Sequence, residues 1–357
     1  MKKVSFVITD MTSGGAERVM SLLANNFASR GMEIQILAIK SEKIVYPLDK
    51  RIRYRYIGSF GNPVFKFFGR LKEINQKTKD SDVIISFLWH CNVYTLLANL
   101  FNHRKIIISE RSDPSSEMRG IFRYFKWMRN LCYLRADRIV FQTEDAMNYY
   151  HGRLHRIGVV IPNPVSPGIQ GVSTEERENI LVAAGRFTEQ KNLPMMINSF
   201  YQIHSVFPEY KLRIYGEGEM KEALIAQRNR LGLTEFIEFP GFSKNLLQDI
   251  KRAKIFLSSS DFEGISNSLI EALALGIPTV ATNCPVGGSR QFVKTGYNGI
   301  LIPVRDENAL TEAIIKILSS DTLWREMCTN AVTIKKDLSI ERIGEMWVHT
   351  VTAQKVK

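Results

Sequence analysis

Short apolar runs, bounded by glycine, proline and polar residues, recur along the whole chain, and between them apolar residues return at helical spacing. In the first half the runs are VSFVITD, EIQILAIK, IRYRYIG, DVIISFL, KIIISER, RIVFQT and VVIP. In the second they are ILVAAG, KLRIYG, FIEF, IFLSS, PTVAT and GILIP. Each predicts a strand. Their alternation with helical patterns predicts an α/β architecture of two doubly wound parallel sheets, one from each half, with a ligand cleft between the halves. The segment IPNPVSPGIQGVSTEERE interrupts the scheme with prolines, glycines and charge, and predicts a linker. Two helical patterns close the chain, LWREMCTNAVTIKK and IERIGEMWVHTVTAQK.

The candidate chemistry lies where predicted strands end. Glu263 and Glu271 bracket a stretch that runs from IFLSSSD into a helix start, SNSLIEALALG. Amides at such a start (Ser266, Asn267 and Ser268), with the positive end of the helix dipole, suit a phosphate, and the two acids suit hydroxyls on either side of it. A sugar nucleotide has that order of groups; a solvated helix start with a capping residue is the plainer alternative. Upstream, LVAAGRFTEQKN predicts a buried strand followed by a polar loop with Arg186 and Lys191. Two fixed cations at the carboxyl end of a parallel strand would neutralise a diphosphate leaving group without a metal. LRIYGEGEM ends a strand in Gly216 and Gly218, and FIEFPGF carries Gly241 and Phe242. In the first half, Gly14 and Gly15 form a turn into an amphipathic helix with Ser13 as its cap, and would let the backbone approach a bulky anion. Ala16, Glu17 and Arg18 follow where a dinucleotide fingerprint needs further glycine, which argues against a nicotinamide enzyme.

These segments resemble, in order, the motifs of retaining glycosyltransferases of the GT-B fold, family four: Glu-x7-Glu at Glu263 and Glu271, Gly-Arg-x5-Lys at Gly185, Arg186 and Lys191, and a Gly-x-Gly turn at Gly216. The resemblance implies two Rossmann-like domains: 1–165 on the acceptor side, a linker at 166–178, a donor domain at 179–338, and a terminal helix at 339–357 returning to the first. It implies that Arg186, Lys191 and Glu263 act on the reacting groups, and that Glu271 holds the ribose. Gly14, Gly15, Gly216, Gly241, Phe242, Ser266, Asn267 and Ser268 would line the donor. Many relatives carry a histidine after the fifth strand; here ISERSDP puts Arg111 in its place. Arginine cannot serve as a base at neutral pH, so Glu110, Arg111 and Asp113 are candidate sugar or acceptor contacts, with an ordinary loop ion cluster as the alternative, and His90 is a further candidate whose alternative is a structural histidine. The implied activity is transfer of a hexose or N-acetylhexosamine from a UDP-sugar to a growing lipid-linked saccharide, with no metal or other cofactor. A sugar-nucleotide epimerase of the same fold and a noncatalytic basic adaptor for membranes or RNA are the alternatives.

Size and charge fit this picture. A chain of 357 residues with a 45% hydrophobic share can bury two cores. Cys91, Cys132, Cys284 and Cys328 are scattered and form no Cys-x-x-Cys pair, so neither a zinc site nor a disulfide framework is expected, and a reducing cytoplasm fits. The apolar run before Asp10 is too short for a secretory core, and no stretch approaches the length of a membrane span. The net charge is +12, and its excess lies in the first half. In MRGIFRYFKWMRNLCYLRADR, the cations Arg119, Arg123, Lys126 and Arg129 accompany a helical apolar pattern with Tyr124 and Trp127. That combination predicts peripheral attachment to the anionic inner face of the membrane. A core-facing helix with a solvated basic side is the alternative, and no nucleic-acid module is recognisable.

Overall fold

The computed structural model describes residues 2–12, 14–58, 62–115 and 124–354. The chain forms two units, Met1–Pro164 with Leu338–Lys357, and Val165–Asp337. In the first unit the strands are β1 (Lys3–Ile8), β2 (Glu33–Ala38), β3 (Arg53–Tyr56), β4 (Val83–Phe87), β5 (Lys105–Ser109), β6 (Arg138–Phe141) and β7 (Gly158–Val160). They form one parallel sheet in the order β3-β2-β1-β4-β5-β6-β7. In the second unit β8 (Ile180–Ala184), β9 (Lys211–Tyr215), β10 (Ile237–Gly241), β11 (Ile255–Ser258), β12 (Thr279–Thr282) and β13 (Gly299–Ile302) form a parallel sheet in the order β10-β9-β8-β11-β12-β13. Every run predicted as a strand is one, and the architecture is the doubly wound pair expected.

The central strands show why their sequences are apolar without alternation. All five residues of β4 and all five of β5 are buried, because a parallel sheet with crossover helices has both faces covered. In each sheet the strand order reverses beside the first strand, between β1 and β4 and between β8 and β11. Ligands of open α/β sheets bind at the carboxyl ends of the strands flanking such a reversal.

The terminal helix Ile340–Thr352 belongs to the first unit. Gly344 lets it approach Asn26 of the helix Gly15–Ser29, since a Cβ there would overlap the asparagine amide. Trp347 is fully buried, 5.7 Å from the Phe87 ring. Lys105, also buried, donates from Nζ to the carbonyls of Thr350 at 2.8 Å and Val351 at 2.9 Å, so its charge is spread over the negative end of the helix. No helix among the described residues is long and apolar enough to cross a membrane.

Candidate active site

In the second unit three glycines from separate motifs meet at the ends of neighbouring strands. The Gly185 amide donates to the Tyr215 carbonyl at 3.0 Å, and the Gly216 amide to the Gly241 carbonyl at 2.9 Å. Gly216 has φ +138, and a Cβ on it would overlap the Gly185 carbonyl oxygen. Only glycine fits both constraints. Gly241 has φ +83, and Phe242 beside it is 53% exposed. The result is a floor of bare backbone at the carboxyl ends of β8, β9 and β10.

Over that floor lies Lys191, reached through a single 3₁₀ turn, Glu189–Lys191. Its Cε would be 3.0 Å from a Cβ on Gly185, so the glycine makes room for the side chain. Lys191 Nζ is 2.5 Å from Glu263 Oε1, and both side chains are largely sheltered. Glu263 Oε2 accepts from Ser260 Oγ at 3.0 Å. Arg186, on the same loop, is exposed. Two residues predicted in separate motifs, Lys191 and Glu263, are thus a preformed ion pair.

Behind them the helix Asn267–Ala274 starts from Ser266, whose side chain does not cap it. Ser266 Oγ instead lies 3.1 Å from Ser268 Oγ, which donates to the Ala184 carbonyl at 2.9 Å. The Asn267 and Ser268 positions therefore open the helix beside the end of β8. Glu271 is only 4% exposed, and its Oε1 accepts from Ser166 Oγ at 2.9 Å. Sequence reasoning missed Arg177. This residue reads as one more charge of the linker, yet it is sheltered and ties the far end of the same helix. Its Nη2 donates to the carbonyls of Leu275 at 2.7 Å and Gly276 at 3.1 Å, and its Nη1 to Lys251 at 2.7 Å. Burial lowers its pKa. No local sequence signal distinguishes it from its solvated neighbours.

In the first unit, Gly14 precedes the helix Gly15–Ser29 in extended backbone, with no side-chain cap. The Ser13 cap predicted there lies outside the described residues. A Cβ on Gly14 would overlap the Glu17 carboxylate, so the glycine gives that side chain its place. His90 Nε2 is 2.5 Å from Thr9 Oγ1, linking the ends of β4 and β1 at the strand reversal. Burial, and next the charges of Lys40 and Arg70, push the His90 imidazole down to about 4, so it is neutral at physiological pH. Glu110 is buried and takes hydrogen bonds from the Tyr133 hydroxyl, from Asn92 Nδ2 at 3.3 Å and from the Tyr150 hydroxyl at 3.4 Å. Asp113 accepts from the Ser115 amide at 2.8 Å and hydroxyl at 2.7 Å.

One expectation for the basic segment is corrected. Arg129, predicted on the membrane side, is only 1% exposed, with its guanidinium 5.3 Å from the Tyr150 ring and 5.7 Å from that of Tyr133. The helix Lys126–Tyr133 turns that position inward, where aromatic faces shelter the cation. Lys126 is exposed, with Nζ 4.4 Å from the Tyr149 ring. Arg119 and Arg123 lie outside the described residues.

Comparison with known proteins gives matches over both halves. Residues 13–168 match the model of Glycosyltransferase Family 4, and residues 169–334 that of Glycosyl transferases group 1. The chain is 27% identical to the GalNAc-alpha-(1->4)-GalNAc-alpha-(1->3)-diNAcBac-PP-undecaprenol alpha-1,4-N-acetyl-D-galactosaminyltransferase of Campylobacter jejuni, over 99% of each chain. It is 24% identical to the amylovoran biosynthesis glycosyltransferase AmsD of Erwinia amylovora, over 94% of this chain and 95% of that one. Among solved structures, Staphylococcus aureus TarM in complex with UDP superposes with a TM-score of 0.84 at 14% identity, over 99% of this chain and all of that one. Anabaena HepE in complex with UDP gives 0.81 at 16%, with the same coverage. At such identities these likenesses establish the fold.

Proposed function

This chain belongs to the GT-B glycosyltransferases, with a family 4 domain in its first half and a group 1 domain in its second, and from that premise we propose what it transfers and how. It moves a hexose or N-acetylhexosamine from a UDP-sugar to a growing lipid-linked saccharide of a cell-surface glycan, with retention at the anomeric carbon. The observation that carries this reading is the group at the second sheet's carboxyl end: the Lys191–Glu263 pair, Arg186 on the same loop, and the helix start at Ser266. The UDP bound by TarM and HepE supports the nucleotide, and the undecaprenyl diphosphate substrate named for the Campylobacter enzyme supports the acceptor.

In this mechanism the donor diphosphate takes Lys191 from Glu263, and Arg186 adds a second cation. Charge that develops on the departing phosphate meets groups already in position, the most effective form of electrostatic catalysis. Glu263, released from its partner, accepts hydroxyls of the transferred sugar. Glu271 accepts those of the ribose, exchanging its bond from Ser166. The amides at the helix start hold phosphate oxygens. The departing phosphate takes the acceptor's proton on the face it leaves, so no carboxylate nucleophile is needed. The purified protein incubated with UDP-, GDP- and ADP-sugars is expected to release nucleotide from a UDP-sugar, and to keep doing so in EDTA. Release from none of them refutes the transferase mechanism, and loss in EDTA refutes charge supply by Arg186 and Lys191 alone.

The acceptor reading extends to a membrane surface on the first unit. On the helix Pro63–Lys77, Phe65 and Phe68 are 70% and 62% exposed; on the helix Lys126–Tyr133, Trp127 is 68% exposed. Both helices pack against the helix Trp89–Ala98, after which Phe101 is 91% exposed. Exposed Lys66, Lys72, Lys126 and Arg135 accompany these aromatics. Aromatic side chains would enter the headgroup boundary while each cation contributes roughly 1 kcal/mol at an anionic surface. The protein should sediment with anionic vesicles at low salt, and Phe65→Ser with Trp127→Ser should abolish this without changing donor hydrolysis. Equal binding by parent and variant removes these aromatics from the membrane contact.

A further inference from the structure

Arg111 follows the end of β5 and is 8% exposed, with its guanidinium 4.4 Å above the ring of Phe87 at the end of β4. Nη1 reaches Ser109 Oγ at 3.5 Å, and Nε and Nη2, both buried, have no hydrogen-bond partner among the described residues. The adjacent carboxylate does not supply one, because Glu110 is engaged by two tyrosines and Asn92. Burial pulls the group down to about 9, against the attraction of Glu17, so it remains charged at neutral pH. A buried cation with two idle donors is costly unless an anion completes it. The turn beside it has the same polarity. Leu88, with φ +76, opens the helix Trp89–Ala98, and no side chain caps that helix. The Leu88 amide donates to the Ser109 carbonyl at 3.3 Å, which fixes this helix start next to the strand that carries Arg111.

We propose that Arg111 is a binding residue for a diphosphate ester at the carboxyl end of the first unit's sheet, holding phosphate oxygens through Nε and Nη2. The planar fork of arginine matches two phosphate oxygens at once, and an uncapped helix start favours the same charge. The proposal rests on the transferase reading, which brings two such esters to the enzyme: the nucleotide diphosphate and the lipid diphosphate. Glu110 keeps its own partners and leaves the guanidinium to the ligand.

The test measures binding of UDP and of farnesyl diphosphate to the full chain and to Arg111→Gln and Arg111→Lys, together with the melting temperature of each. Arg111→Gln is expected to weaken one or both ligands at least about tenfold, the usual effect of losing a charge-assisted bidentate contact. Its melting temperature without ligand should stay level or rise, because an unpaired buried charge has gone. Arg111→Lys should fold and bind with intermediate affinity. Loss confined to UDP assigns the donor, and loss confined to farnesyl diphosphate assigns the acceptor. The proposal is overturned if both variants bind both ligands within twofold of the parent, or if the parent binds neither. If only the transferase reading fails, the parent still binds a diphosphate through Arg111 but releases no nucleotide from any donor sugar.

Discussion

At the carboxyl end of the second sheet the backbone shapes the site, whereas at the same end of the first sheet buried polar side chains do. Gly185, Gly216 and Gly241 leave the second unit's strand ends bare, and Lys191 and Glu263 stand over them as a matched pair. In the first unit buried Glu110, Arg111, Arg129 and Tyr133, with half-buried His90, gather at that end, and the charges are answered unequally: among the described residues Glu110 takes hydrogen bonds from Tyr133, Tyr150 and Asn92, while Nε and Nη2 of Arg111 have no partner. The second lining depends on backbone that only glycine can form, the first on which residues surround each charge.

The largest effect expected from this contrast is in the second unit. Lys191→Ala and Arg186→Ala should each cut turnover on the order of a hundredfold, about 2.7 kcal/mol of transition-state stabilisation, with the fold intact. Lys191→Ala also leaves Glu263 without its cation in a sheltered place, so its melting temperature should fall slightly while that of Arg186→Ala, an exposed residue, should not. Initial rates with saturating donor and a thermal melt separate the two. Near-parental turnover in either folded variant would place the catalytic cations elsewhere and erase the distinction between the units.

The same contrast explains what the sequence makes legible. Every strand could be read, because buried parallel strands are short, continuous apolar runs. The local geometry of the second unit's candidate site could be read almost as fully, because glycines forced by backbone contact and charges on short loops leave local signatures: Gly216 cannot be another residue at φ +138. What sequence reading missed was tertiary. Nothing local pairs Lys191 with Glu263, joins Glu271 to Ser166 across the unit, or separates half-buried Arg177 from the exposed charges around it. Arg129 failed for the same reason. A basic helix looks alike whether a given cation meets water or the ring of Tyr150, and only the packing decides.

The smallest expected effect probes the side-chain lining of the first unit through pH. His90 in the folded chain is held down to about 4 by burial and by nearby Lys40 and Arg70, against an ordinary value of 6.5. Above pH 6.5 the group is neutral in both states and contributes no pH dependence. As the pH falls from 6.5 toward 4, the unfolded chain takes up a proton that the folded chain refuses, so folding stability is lost through that window. Each pH unit inside it is worth at most about 1.4 kcal/mol, giving roughly 2 kcal/mol between pH 7 and pH 5. His90→Gln keeps a hydrogen-bonding group toward Thr9 and has no proton to gain. Denaturant unfolding of parent and variant at pH 7 and pH 5 should therefore show the parent losing about 2 kcal/mol more than the variant, with the carboxylates common to both cancelling in the difference. Parallel losses would mean that the imidazole is open to water in solution. The first unit's strand ends would then be as bare as those of the second, and the contrast between the two linings would fail where it is easiest to measure.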